Sequence, residues 1–313
     1  QASIAWAAAL VVLLFAVKIP GSLGTVEWLG FSYVVLRLLS MLADFRSGQL
    51  PAMNATETLI YALFPASWLA GPIDRAPHFM SELRDATSAH SERLMTGGKR
   101  FIVGAFKKFV IADTLALAAL SPALAGDIDS ASGAWLAAYL YALRIFFDFS
   151  GYSDMAIGAG ILAGIKLPEN FNQPYLRPSL ALFWQNWHMS LTGWFRAYVF
   201  MPLSRWLLRR PVNLPENLIA QIVTMLLIGA WHGLTANFLI WGLWHAVGLV
   251  AQRALSQRTR PQARRWNANP WRRRVLYVFG VFVTFHYVLI GWVFFALASP
   301  AESLRILGVM FGV

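Results

Sequence analysis

Residues 275–297 contain no Asp, Glu, Lys or Arg, and His286 is the one side chain among them that could carry positive charge. A run of that length and apolarity spans the roughly 30 Å hydrocarbon layer of a bilayer as a helix. Only helices and closed barrels can satisfy their own backbone groups in that layer. Comparable runs occupy 2–19, 27–45, 57–72, 99–125, 217–232 and 236–251, and 303–313 begins another. The chain is 58% hydrophobic and 13% charged, against about a quarter charged in soluble domains. These features predict an all-α integral membrane protein, polytopic, with residues 1–313 forming a single membrane-embedded domain.

The formal net charge of +11 is concentrated between apolar runs, at Arg205, Arg209 and Arg210 and again from Arg253 to Arg274. Short basic segments joining hydrophobic spans follow the positive-inside rule and favour anionic lipid headgroups. Membrane lipids are therefore the expected partners, and nucleic acid is not. The absence of cysteine excludes disulfides, thiolate catalysis and Cys-ligated metal.

Two segments depart from simple spans. Residues 133–165 exceed one crossing and carry Asp148, Ser150, Gly151, Ser153 and Asp154 in mid-run. That predicts two shorter helices meeting at a polar turn, which membrane depth tolerates only beside protein or a watery cavity. Residues 180–202 place Phe183, Trp184, Trp187, His188, Leu191, Trp194, Phe195 and Tyr198 at helical spacing, with Gln185, Asn186, Thr192 and Arg196 elsewhere. That predicts one amphipathic interfacial helix. The polar stretch 74–98 is expected to lie outside the hydrocarbon.

Ionisable rings are costly in hydrocarbon, so histidines within apolar runs are candidate functional groups. His188, His232 and His245 each adjoin a tryptophan (Trp187, Trp231 and Trp244). A single such ring is more often an interhelical hydrogen bonder, which suffices for His286. No pair has the i, i+3 or i, i+4 spacing that brings two metal ligands to one helical face, and no metal is expected. His232 and His245 stand about 20 Å apart along a continuous helix, so they can share a site only if the chain turns at Gly233–Asn237. A neutral imidazole can accept a proton from a hydroxyl near neutral pH. No Gly-x-Ser-x-Gly elbow is present, so direct acyl transfer to an alcohol with a histidine base fits better than a serine hydrolase.

Phe64-Pro65 through Ile73, Phe146 through Gly158, Leu167-Pro168-Glu169-Asn170-Phe171, Phe183 through Leu203, Trp231-His232-Gly233, Trp241 through His245, and Gly291 through Phe295 form a linked series of stretches. In this order they resemble the membrane-bound O-acyltransferase (MBOAT) family. The likeness is to the bacterial branch that serves alginate O-acetylation and teichoic-acid D-alanylation. It implies a bundle with broken and interfacial helices around a central tunnel, in the bacterial inner membrane. It also implies an acyl donor, acetyl-CoA or an acyl carrier protein, with no resident cofactor. The acyl group would pass to an exported polysaccharide or cell-wall polymer, or to a periplasmic or extracellular acetyltransferase partner. Within the likeness His232 takes the catalytic place and His188 assists. Trp187, Trp231, His245, Asp154, Asn170, Tyr175, Ser190 and Arg196 would support substrate and tunnel. The chain departs from the family pattern at Ala197, where many relatives have Asp, and at Ser204-Arg205, and a non-catalytic membrane channel or scaffold that keeps the bundle is the alternative reading. Some first and last helices of longer relatives are expected to be missing.

Overall fold

The computed structural model describes residues 2–16, 18, 30–85, 90–210 and 216–313. Among these the regular structure is helical, with one isolated antiparallel bridge between Phe171 and Trp187. The chain divides into two compact units, residues 1–114 with 145–170 and residues 115–144 with 171–313. Ala236–Thr259 and Pro270–Ala296 are each long and apolar enough to cross a membrane, and Ala5–Ala16 and Leu218–His232 are shorter apolar helices. The link at 20–26 between the runs 2–19 and 27–45 lies outside the described residues.

The polar turn predicted within 133–165 does not form. Ala131–Leu162 is one continuous helix. In the first unit, Gly151 and Gly158 act as contact points on it. A Cβ on Gly158 would meet the Gly97 carbonyl oxygen at 2.7 Å, and one on Gly97 would meet the Gly158 oxygen at 2.8 Å. Gly151 and Gly104 oppose each other likewise, at 2.7 and 2.5 Å. Two glycines seven residues apart on each helix thus face their counterparts in antiparallel order, and the backbones approach as only small residues allow. The acids are neutralised rather than exposed by a break. Lys108 Nζ reaches Asp148 at 2.5 Å, Lys107 Nζ reaches Asp154 at 2.6 Å, and Arg100 reaches Asp154 at 3.0 Å.

The partner helix begins at His90, not at Lys99, and passes through a π-turn at Phe106–Ala112 before ending at Ala116. A separate short helix, Pro122–Ala125, follows, so the expected run 99–125 is not one span. The expected span 57–72 is likewise interrupted, giving Ala55–Ala62 and Pro65–Trp68. Pro65 lacks an N–H and cannot continue the first helix. The freed carbonyls find Arg37, which is 1% exposed. Its guanidinium donates to Tyr61 O at 3.1 Å, to Ala62 O at 3.4 Å and to Ser67 O. Tyr61, Phe64, Phe79, Met80, Ile157 and Leu167 form the apolar core of this unit.

The second unit is held by a helical hairpin, Glu216–His232 and Ala236–Asn267, followed by Pro270–Ala296 and Pro300–Phe311. The arginines from Arg253 to Arg265 continue the hairpin's second helix instead of forming a loop, with Pro261 inside it. Trp244 and Tyr287 fasten that helix to the next. Their rings stack at 4.4 Å, Trp244 Nε1 donates to Tyr287 O at 3.0 Å, and Tyr287 Oη donates to Trp244 O at 2.5 Å. Asn237, at the hairpin turn, donates to Leu297 O and Ser303 Oγ at 2.7 and 3.1 Å.

Candidate active site

The stretch 180–202 is not one helix. Leu180–Asn186 ends at Trp187, and Met189–Phe195 begins after His188, whose φ of +44° is left-handed. The helix then widens into a π-turn at Arg196–Phe200. The interruption is anchored from outside, because Asn172 N donates to Asn186 O at 3.1 Å beside the Phe171–Trp187 bridge. The break leaves His188 buried at 3% exposure.

His232 is the last residue of its helix, and the chain turns at Gly233–Thr235 before resuming at Ala236. That reversal brings the three motif histidines around shared indoles. The Trp231 ring lies 4.9 Å from His232 and 6.3 Å from His188. Trp241 lies 5.4 Å from His232 and 5.1 Å from His245. Phe295, at 4.8 Å, closes a further side of His232. Ser190 follows His188 in the first turn of its helix and is half-buried.

His245 is engaged differently. It is fully buried, and its Nδ1 accepts the indole N–H of Trp184 at 3.4 Å. Its Nε2 faces Gly291 and has no hydrogen-bond partner among the described residues. These contacts make it a packed ring within the aromatic core, one indole away from His232. Trp187 and Tyr175 belong to the same core. Their rings lie 5.6 Å apart, and Trp187 lies 5.0 Å from Trp292. Tyr175 Oη donates to Ala142 O at 2.8 Å and accepts the Trp292 indole N–H at 3.1 Å. Arg196 is exposed and lines a cavity of about 260 Å³ with Trp184 and Thr192.

Asp154 and Asn170 belong to the first unit. Asp154 is paired with Arg100 and Lys107, and Arg100 also binds Glu169. Asn170 is fully buried and donates to Ser153 Oγ at 3.1 Å. Both are tied into structural networks. The side chains that sequence reasoning passed over are Trp241, Trp292 and Phe295. They lie in the stretches 241–245 and 291–295, and their aromatic clustering was the available signal.

The MBOAT, membrane-bound O-acyltransferase, family model matches residues 20–299. The chain belongs to this family. Family membership makes it a membrane protein. Among curated relatives it is 37% identical over 289 residues to the "Probable alginate O-acetylase AlgI" of Pseudomonas putida, covering 90% of this chain and 55% of that one. It is 31% identical over 296 residues to a teichoic acid D-alanyltransferase of Streptococcus thermophilus, covering 89% and 70%. It is 33% identical over 268 residues to a peptidoglycan O-acetyltransferase of Helicobacter pylori, covering 81% and 47%. The chain thus spans about half the length of the alginate-type relatives it matches.

Proposed function

We propose that this MBOAT chain is an O-acyltransferase that moves an acetyl group from a cytoplasmic thioester to a hydroxyl, with His232 as general base and His188 assisting. The observation carrying this reading is the convergence of His188 and His232 on the Trp231 indole. In the reaction His232 takes the acceptor's O–H proton as the oxygen attacks the thioester carbonyl. The C–S bond then breaks, and the imidazolium returns the proton to the departing thiolate. General-base catalysis of this kind is worth about 10²–10⁴-fold. The Trp231, Trp241 and Phe295 rings would limit water access, which protects a thioester from hydrolysis.

In this reading residues 1–313 work as one domain of the bacterial inner membrane, with a tunnel between a cytoplasmic donor and an outward acceptor. Acetyl-CoA or an acyl carrier protein supplies the acyl group. An exported polysaccharide, a wall polymer or an extracytoplasmic acetyltransferase receives it. The names of the alginate and peptidoglycan relatives support acetyl transfer. A D-alanyl group is the second reading, favoured by the larger share of the teichoic acid D-alanyltransferase that this chain covers. The test is the ester content of the exported glycan in cells whose sole copy is His232→Ala. We expect acetyl ester to fall to background with the variant still inserted at normal level. Unchanged ester content removes His232 from the mechanism, and D-alanyl ester in its place selects the second reading.

A further inference from the structure

Two cavities adjoin along the Glu216–His232 and Ala236–Asn267 hairpin. The first, of about 260 Å³, is lined by the polar Arg196, Gln221 and Thr224 and by the apolar Met225, Ile228 and Leu249. The second, of about 200 Å³, has Arg253 and Gln257 beside Leu218 and Leu249. Gln221 and Leu249 line both, so the two form one groove. Among the described residues no acidic side chain lines either cavity. The ion pairs among the described residues all fall in the first unit. Arg196 and Arg253 therefore reach the groove with no carboxylate partner among the described residues.

An apolar lining bordered by guanidinium groups and amides is complementary to an anion carried on an apolar chain. Arginine binds phosphate through paired, charge-assisted hydrogen bonds. Depth selects the source. Ala236–Thr259 meets the length and apolarity of a membrane span. Arg253 and Gln257 occupy its last turns, where the arginine-rich stretch begins. The end of a span that merges into arginines lies at headgroup level. Arg196 opens a π-turn, a local widening frequent at binding sites. We propose that this groove is a specific site for an anionic phospholipid. Arg196 and Arg253 bind the phosphodiester, and an acyl chain lies over Met225, Ile228 and Leu249.

Arg196 and Trp184 adjoin the site described above, so the test reads lipid binding directly and does not depend on the catalytic role of His232. The full chain would be purified in zwitterionic detergent and titrated with phosphatidylglycerol, phosphatidylcholine and coenzyme A, with occupancy read by native mass spectrometry. We expect saturable binding of one phosphatidylglycerol in preference to phosphatidylcholine. The Arg196→Gln/Arg253→Gln double variant should weaken it about tenfold or more, whereas Arg196→Lys/Arg253→Lys, which keeps the charge but not the paired hydrogen bonds, should weaken it less. Ile228→Trp, which fills the apolar part and leaves both arginines, should also lose the lipid. Thermal unfolding in the same detergent verifies that each variant is folded. Equal affinity for the two lipids, or unchanged phosphatidylglycerol binding in the Gln variant, overturns the proposal. So does selective loss of coenzyme A, which would assign the groove to a nucleotide thioester.

Discussion

Gly291 lies directly against the imidazole of His245: a methyl group at position 291 would meet His245 Nε2 at 2.9 Å and Trp244 Cδ1 at 3.2 Å. The Trp184 indole already holds the other side of the ring through Nδ1. The imidazole cannot retreat without breaking that bond. Overpacking of this kind costs about 1–3 kcal/mol. Gly291→Ala is therefore expected to lower thermal stability by that order. In Gly291→Ala/His245→Ala the combined loss should be smaller than the sum of the two single losses. Additive losses in that double-mutant cycle would show that the contact is not the cause.

The reciprocal approach of Gly104 and Gly151 makes the same argument between helices. A branched side chain at either position meets backbone, not a flexible tip. Gly151→Val is expected to destabilise the folded chain by at least about 1–3 kcal/mol. Gly126→Val, at a glycine with nothing within 4 Å, should have much less effect. Comparing the two in detergent thermal melts checks the prediction.

His188 combines a buried ring with a left-handed backbone. A non-glycine residue in that region carries about 1–2 kcal/mol of strain. His188→Gly is expected to be more stable than His188→Ala by about that amount, since it relieves the backbone that alanine leaves strained. If His188 assists proton transfer, both variants lose acyl transfer to a similar extent. Recovery of activity in the glycine variant alone would mean that residue 188 acts through its backbone.

Arg37 serves three carbonyls at the break between Ala55–Ala62 and Pro65–Trp68. Arg37→Met keeps much of the length and apolar bulk of the stem but leaves those acceptors without donors. A buried acceptor left unsatisfied costs about 1–3 kcal/mol. The expected result is lower stability and faster proteolysis near Pro65, whereas Arg84→Met, whose guanidinium pairs with Glu57 on the surface, should change little.

His78 lies in the polar stretch expected outside the hydrocarbon. Its Nδ1 is 2.9 Å from both carboxylate oxygens of Asp74, and that hydrogen bond raises its pKa above the ordinary imidazole value. A raised folded-state pKa stabilises the fold below the unfolded imidazole pKa. The contribution fades as pH rises through the raised value. His78 should therefore still be protonated at a pH where an unperturbed imidazole is mostly neutral. In Asp74→Asn its titration should shift downward. Titration of the His78 ring by NMR checks this, and identical midpoints in the two proteins would contradict it.

Apolar run length was enough to locate Pro270–Ala296 and the Ala236 helix, because a bilayer-spanning helix is defined by local composition. A turn between His232 and His245 was offered by Gly233–Asn237 without being required, and the chain makes it at Gly233–Thr235. The interruption at His188 was not legible. Its aromatic spacing reads as continuous helix, and what stops it is pairing with residues 171–172, outside the helical stretch itself. The polar run at 148–154 misled in the opposite direction. Asp148 and Asp154 look like breakers until Lys107, Lys108 and Arg100 arrive on the facing helix.

What the sequence by itself determined is a helical membrane chain of the MBOAT family with histidines placed in its apolar runs. Both follow from patterns within single segments. Only the tertiary structure decided that His188 and His232 share the Trp231 indole and that His245 is packed against Trp184 and Gly291. It also decided that Asp154 is held by ion pairs. A buried ring or charge takes its environment from whichever neighbours long-range packing brings to it, and spacing along the chain does not specify them.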